Sequence, residues 1–149
     1  MALIIYFVRI DFSNMRWLYG LIIIGVGLVL YLSWEPNPAL RSVWFVPDWV
    51  AKWTDTQAHE SSRTGVPFVF LGLFIGISPL LSNKSFKHWL VALLILVAVL
   101  IAAEVGQLFI PTRHFEWYDI GWGALGSVLG LLTAALARFI LVKLNWQKK

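Results

Sequence analysis

Four long apolar runs constrain this chain more than any other feature of its sequence. The first extends from Trp17 to Trp34 without a charged residue, and the others cover about residues 64–81, 88–110 and 120–142. A run of roughly 20 apolar residues is long enough for one α-helix to cross the hydrocarbon core of a bilayer. Charged residues make up only 13% of the chain, well below the share in soluble domains. We therefore predict a single all-α membrane domain over residues 1–149, built as a bundle of four transmembrane helices.

The charged residues divide unequally between the two ends of this predicted bundle. One end receives a single acid, Asp11, and the basic residues Arg9, Arg16, Lys84, Lys87, Arg138, Lys143, Lys148 and Lys149. The other end receives the basic residues Arg41, Lys52, Arg63 and Arg113 and the acids Glu35, Asp48, Asp55, Glu60, Glu104, Glu116 and Asp119. Because cytoplasmic loops are rich in lysine and arginine, this difference predicts a protein of the cell (inner) membrane with both termini in the cytoplasm. The net charge of +4 then reflects topology, and we expect the lipid bilayer and no nucleic acid as a partner.

The long first loop faces outside in this topology, and it contains three tryptophans. Trp49 and Trp53 are four residues apart, so in a helix they share one face with Val46 and Val50. This pattern predicts a short amphipathic helix that lies in the outer membrane interface. A hydrophobic plug that packs Trp44 and its neighbours onto the bundle is the alternative, and the sequence does not separate the two.

The third apolar run carries two polar residues near its predicted outer end. Glu104 and Gln107 are three apart and therefore share one helix face. An ionisable group inside the outer leaflet is costly unless it is paired or faces a polar cavity, so Glu104 is a candidate functional residue. The structural alternative is a buried pair with Arg113 that only clamps two helices together.

Further candidates lie in the outer loops. The guanidinium of Arg113 is suited either to Glu104 or to a phosphate, and Asp119 is either a helix N-cap or a member of the same site. In a helix, Asp55 and His59 would lie one turn apart, where Asp55 would orient His59 as an acid or base, or both would ligate a metal. The chain has no cysteine, which excludes thiolate chemistry, and we predict no metal and no cofactor.

The ordered set of these residues resembles the VanZ-like family of small multi-pass bacterial membrane proteins. The resemblance extends from about Asp55 to Gly130 and rests on Asp55-x-x-x-His59, Glu104-x-x-Gln107, Arg113 and Asp119, followed by Gly126 and Gly130. It implies an outer ligand site at Asp55, His59, Glu104, Gln107, Arg113 and Asp119, and a relation to teicoplanin resistance, since the type member is associated with it. Two positions depart from the family pattern, which usually has asparagine at Gly123 and commonly lysine at Thr56.

Three functions are compatible with these residues. The first is binding of a lipophilic glycopeptide or a lipid-linked cell-wall precursor at the outer leaflet, with the loop tryptophans around its apolar part. The second is a membrane-embedded enzyme in which His59 acts as base, Asp55 orients it, Glu104 is the acid and Arg113 stabilises charge. Transport ranks third because the middles of the first, second and fourth runs are nearly free of ionisable residues. Binding ranks first because no established nucleophile or phosphate-loop motif is present.

Two pairs of glycines predict how the helices pack. Gly72 and Gly76 in the second run, and Gly126 and Gly130 in the fourth, are each four residues apart. Such small-residue pairs allow two membrane helices to approach closely. We therefore expect close helix contacts along both runs, without any implication for function.

Overall fold

A computed structural model describes residues 16–56, 62–81 and 84–146, and over these residues the protein is all-helical. Its α-helices are α1 (Trp17–Trp34), α2 (Asp48–Thr54), α3 (Gly65–Ile77), α4 (Phe86–Gln107) and α5 (Trp117–Trp146). Short 3₁₀ helices cover Leu40–Ser42, Ser62–Thr64 and Pro79–Leu81. The predicted all-α class is confirmed.

Three of the helices are long and apolar enough to cross a membrane. They are α1, α4 and the part of α5 from Trp117 to Leu141, which supports the prediction of a membrane protein. The second apolar run, predicted over residues 64–81, forms the 13-residue helix α3, which is about 20 Å long and shorter than the predicted span. It ends because Ser78 precedes Pro79, and a residue in that position disfavours the α conformation; Ser78 is extended, with φ −66° and ψ 161°.

The predicted close helix approach is confirmed: Gly72 lies against Gly130, Gly126 against Gly65, and Gly76 against Ala134. A Cβ atom built on Gly72 would lie 2.6 Å from the carbonyl oxygen of Ser127. A Cβ on Gly130 would meet the backbone of α3 at the Val69 carbonyl, and one on Gly126 would meet the Gly65 carbonyl. Because no side chain separates them, α3 and α5 pack backbone against backbone.

The same contacts fix the directions of the helices. Gly65 lies beside Trp122 and Gly76 beside Ala134, so α3 and α5 run parallel. Trp34 at the end of α1 lies against Gly106 at the end of α4, so these two helices also end together. The two longer connections therefore lie at one end of the bundle, which we call the loop end. Their described parts are residues 35–56 and 62–64 in the first connection and residues 108–116 in the second.

The interior is small, and much apolar surface faces outward. Phe68, Leu96 and Leu100 are essentially inaccessible to solvent, whereas Ile23 and Ile24 on α1 are largely exposed. Exposed apolar faces of this extent suit a lipid surrounding and would be unfavourable in water. The bundle therefore combines a narrow packed core with an apolar outer surface, as membrane insertion requires.

Candidate functional site

Arg113 connects the loop between α4 and α5 to the end of α1. Its Nε donates to the Glu35 carbonyl oxygen at 3.0 Å, and its Nη2 donates to the Leu32 carbonyl oxygen at 2.9 Å. The last carbonyl groups of a helix lack partners within the helix and carry partial negative charge, so a cation is favourable there. The guanidinium that sequence reasoning placed either on Glu104 or on a phosphate thus caps the C terminus of α1.

Two further side chains donate to the same short segment after α1. The Thr112 hydroxyl donates to the Pro36 carbonyl oxygen at 2.5 Å, and Arg63 Nη1 donates to the Pro38 carbonyl oxygen at 3.3 Å. Residues 35–38 therefore accept hydrogen bonds from the α4–α5 loop and from the 3₁₀ helix before α3. This segment organises the loop end, and Arg63 is a residue of this region that the sequence pattern does not indicate.

Glu104 is buried, with 2% of its surface exposed. Its Oε2 accepts a hydrogen bond from the backbone N–H of Glu116 at 3.0 Å, and its Oε1 lies 3.5 Å from the Nε2 donor of Gln107. The expected shared face of Glu104 and Gln107 is therefore present, and both side chains point inward. The carboxylate joins the last turns of α4 to the residue that immediately precedes α5.

Asp119 lies inside α5 as its third residue, and not ahead of the helix as an N-cap would. An acid in the first turn of a helix is favourable because the N terminus carries partial positive charge. The carboxylates of Glu104 and Asp119 both lie within electrostatic range of Arg113. The structure therefore brings Glu104, Gln107, Arg113 and Asp119 to one end of the bundle.

The electrostatic surroundings of Arg113 include a second arginine. Burial lowers the pKa of Arg113 from its ordinary value, and the charge of Arg63 lowers it further. Glu104, Asp119 and Glu35 oppose this change by favouring the charged form. Among the individual charges that act on Arg113, that of Arg63 has the largest effect, and both arginines donate hydrogen bonds to carbonyl groups of residues 35–38.

Asp55 holds the first loop together. Its Oδ1 accepts from the backbone N–H of Leu40 at 2.9 Å, and its Oδ2 accepts from the backbone N–H of Arg41 at 3.2 Å. Because α2 ends at Thr54, Asp55 lies in a turn rather than on the expected continuous helix. His59 lies outside the described residues, so its pairing with Asp55 stays a prediction.

Two of the three tryptophans of the first loop, Trp44 and Trp49, point away from the protein. Trp44 is 93% exposed and Trp49 is 75% exposed, whereas α2 buries Ala51 and Thr54 against the rest of the chain. The helix predicted around Trp49 and Trp53 is present as α2, and its buried face is formed by the small residues. The loop end therefore carries a group of outward-facing indole rings.

The position at which the family pattern has asparagine is part of the packing. Gly123 is buried, and a Cβ atom there would overlap the side chain of Leu100 on α4. An asparagine would require Leu100 to move, so the glycine fits this particular α4–α5 interface. Thr56, at the other departing position, donates its hydroxyl to the Lys52 carbonyl oxygen at 2.8 Å.

Other contacts carried no signal that sequence reasoning used. Trp34 Nε1 donates to the Ala103 carbonyl oxygen at 3.2 Å, with its ring in the notch left by Gly106. At the opposite end of the bundle, Arg138 Nη2 donates to the Ser78 carbonyl oxygen at 2.6 Å. The sequence signal for each contact is a glycine or an arginine within an apolar helix, Gly106 in α4 and Arg138 in α5.

Comparison with known proteins adds no relative to this picture. Neither a family model, nor a curated protein, nor a solved structure matches the chain. Over the described residues, no group of three or more histidine, aspartate or glutamate side chains is arranged to hold a metal ion. The resemblance to the VanZ-like family therefore rests on the residue pattern alone.

Proposed function

We propose that the chain is a VanZ-like multi-pass protein of the cell (inner) membrane that binds a lipophilic glycopeptide or a lipid-linked cell-envelope amphiphile at the outer leaflet. The observation that carries this proposal is the composition of the loop end. Arg113 is held there on the carbonyls of α1 beside Arg63, and Trp44 and Trp49 are exposed at the same end. An arginine fork suits an anionic headgroup, and indole rings suit the boundary between headgroups and acyl chains.

The proposed topology has four spans and both termini in the cytoplasm. α3 is the shortest span, and the 3₁₀ helix Ser62–Thr64 extends it directly at the loop end. Its exposed residues include Val66 and Phe70, which are apolar and suit lipid contact. A short span is accommodated by local thinning of the bilayer at modest cost. The loop end then lies outside, and α2 lies in the outer interface with Trp49 toward the lipid.

The proposed binding is tested with the full chain in lipid nanodiscs, using its nine tryptophans as the fluorescent reporter. Teicoplanin is titrated in, and a glycopeptide of the same class without a fatty-acyl chain serves as the matched ligand. We expect saturable binding of teicoplanin and at least tenfold weaker binding of the ligand that lacks the acyl chain. Arg113→Ala is expected to abolish binding because it removes the headgroup contact.

The control variant for this experiment is Arg41→Ala. Arg41 is exposed at the same end of the molecule, and it carries the same charge as Arg113. Affinity for teicoplanin should be unchanged in Arg41→Ala, and the thermal unfolding temperature of both variants shows whether they are folded. Unchanged affinity in a folded Arg113→Ala protein would contradict the proposed role of Arg113.

The second candidate is a membrane-embedded enzyme that acts on a lipid-linked or phosphorylated substrate. The observation in its favour is that Glu104 is buried near Asp119 and Arg113. It ranks second because the Glu104 carboxylate accepts hydrogen bonds from Gln107 and from the Glu116 backbone, as expected of a residue with a structural role. The double variant His59→Ala/Glu104→Gln tests it. A phenotype that this variant restores as fully as the wild type does would exclude a catalytic role for both residues.

A further inference from the structure

Two arginines from different parts of the chain are fixed on one short segment of backbone. Arg113, from the α4–α5 loop, donates to the Glu35 carbonyl oxygen, and Arg63, from the 3₁₀ helix before α3, donates to the Pro38 carbonyl oxygen. The two acceptors are three residues apart. Thr112 donates to the Pro36 carbonyl between them. The segment therefore positions the two guanidinium groups relative to each other.

Holding two like charges together costs free energy, and the cost rises when the charges are removed from water. Both arginine side chains are partly buried, and Arg63 exerts the largest single charge effect on Arg113. Glu104, Asp119 and Glu35 act on Arg113 in the opposite sense and favour its charged form. An anion between the guanidinium groups would turn this repulsion into attraction.

Within the described residues, these hydrogen bonds use only some of the N–H groups of each arginine. A guanidinium has five N–H groups, and within the described residues Arg113 uses its Nε and Nη2 while Arg63 uses its Nη1. The two carbonyl contacts of Arg113 fix the plane of its guanidinium, so this side chain loses little conformational entropy when an anion binds. Planar forks of this kind match the oxygen atoms of a phosphate.

We propose that Arg63 and Arg113 form a paired-guanidinium site that binds the phosphate of a membrane lipid at the loop end. This inference rests on the proposed function and specifies the headgroup chemistry of its amphiphile. The site lies at the C-terminal end of α1, at the same end of the bundle as the exposed Trp117, and aromatic side chains at the ends of spans favour the headgroup level of a bilayer. The carboxylates of Glu35 and Asp119 lie within electrostatic range of Arg113 in this site.

The site is tested with two lipids that differ only in the phosphate. Dioleoylphosphatidic acid and dioleoylglycerol are titrated into the full chain in detergent micelles, with tryptophan fluorescence and native mass spectrometry as readouts. We expect phosphatidic acid to bind at least tenfold more tightly than dioleoylglycerol. One lost charge-assisted contact corresponds to about a tenfold loss of affinity, so R63Q and R113Q should each weaken phosphatidic acid binding by that factor and leave dioleoylglycerol unchanged.

R41Q is the matched control, because Arg41 is an exposed arginine at the same end of the bundle and is not part of the pair. The R41Q protein should bind phosphatidic acid with the affinity of the wild type. R63Q keeps the test valid if R113Q fails to fold, since Arg113 also caps α1. Equal affinity of the wild type for the two lipids, or equal behaviour of R63Q and R41Q, would overturn the site. Inorganic phosphate that binds as tightly as phosphatidic acid would overturn its assignment to a lipid headgroup.

The same experiment separates this site from the function on which it rests. If teicoplanin or dioleoylglycerol binds and the phosphate adds no affinity, the amphiphile-binding function stands and the phosphate site fails. If neither lipid nor teicoplanin binds to the folded protein, the proposed function fails and the phosphate site fails with it.

Discussion

Replacing Glu104 with alanine tests whether its buried carboxylate holds the loop end together. The side chain is almost fully buried, and its Oε2 accepts the backbone N–H of Glu116 at 3.0 Å. Alanine removes this acceptor and leaves the N–H of Glu116 without it, which costs about 1–3 kcal/mol. The void left by the missing atoms adds roughly 1–2 kcal/mol, toward the low end of large-to-small substitutions. We therefore expect Glu104→Ala to lower the free energy of unfolding by about 3 kcal/mol.

Glutamine at the same position separates the hydrogen bond from the charge. Glu104→Gln preserves the volume and one acceptor oxygen for the Glu116 N–H, and Gln107 can turn its amide to match. Only the difference between a charged and a neutral acceptor is lost, so we expect a decrease of about 1 kcal/mol. Amphiphile binding should be retained in this variant, because the position of the loop that carries Arg113 is preserved.

The assay is titration of the full chain with sodium dodecyl sulfate in mixed micelles, followed by tryptophan fluorescence. The matched control is Glu116→Ala, which removes the same charge from an exposed position and keeps the backbone N–H that Glu104 accepts. An exposed substitution of this kind should change stability by about 0.5 kcal/mol or less. If Glu104→Ala is no more damaging than Glu116→Ala, the carboxylate does not hold the two helices. If glutamine is as damaging as alanine, the charge and not the hydrogen bond is essential.

Two further predictions concern packing and topology. Gly130→Ala places a Cβ against the α3 backbone at Val69, so we expect the free energy of unfolding to fall by about 1–3 kcal/mol in the same assay. Gly27→Ala is the control, because a Cβ there has nothing within 4 Å, and it should leave the free energy of unfolding nearly unchanged. Equal effects of the two substitutions would contradict the α3–α5 interface. Because the chain lacks cysteine, Lys52→Cys and Lys84→Cys can be labelled on intact cells with a membrane-impermeant maleimide. We expect labelling at residue 52 only, and labelling at residue 84 would reverse the proposed orientation.

The helices themselves could be predicted because they follow from local chemistry. The first apolar run, bounded by Trp17 and Trp34, matches α1 residue for residue, since no charge or proline interrupts it. The second run, predicted over residues 64–81, became a 13-residue helix, because Pro79 acts on the conformation of Ser78 whatever the hydrophobicity. Hydrophobicity therefore predicted which segments are apolar helices, and backbone restrictions decided where one of them ends.

The candidate site was predictable only in part. Spacing on one helix placed Glu104 and Gln107 on a shared face, and the structure has them in contact. Spacing could not indicate that Arg113 donates to α1 carbonyls, since its partners lie 78 and 81 residues away in the sequence. It also failed to indicate that Asp55 holds Leu40 and Arg41, because that contact requires the loop to fold back on itself.

The sequence by itself determined the class of protein, its apolar helices and the uneven distribution of charge, because each of these depends on composition and on neighbours along the chain. The tertiary structure alone decided which helices touch. It pairs the glycines of α3 with those of α5, and it brings Arg63 and Arg113 to one segment. The physical reason is that helix packing and capping of exposed carbonyls depend on which surfaces meet in space, and residues far apart in the chain supply those surfaces.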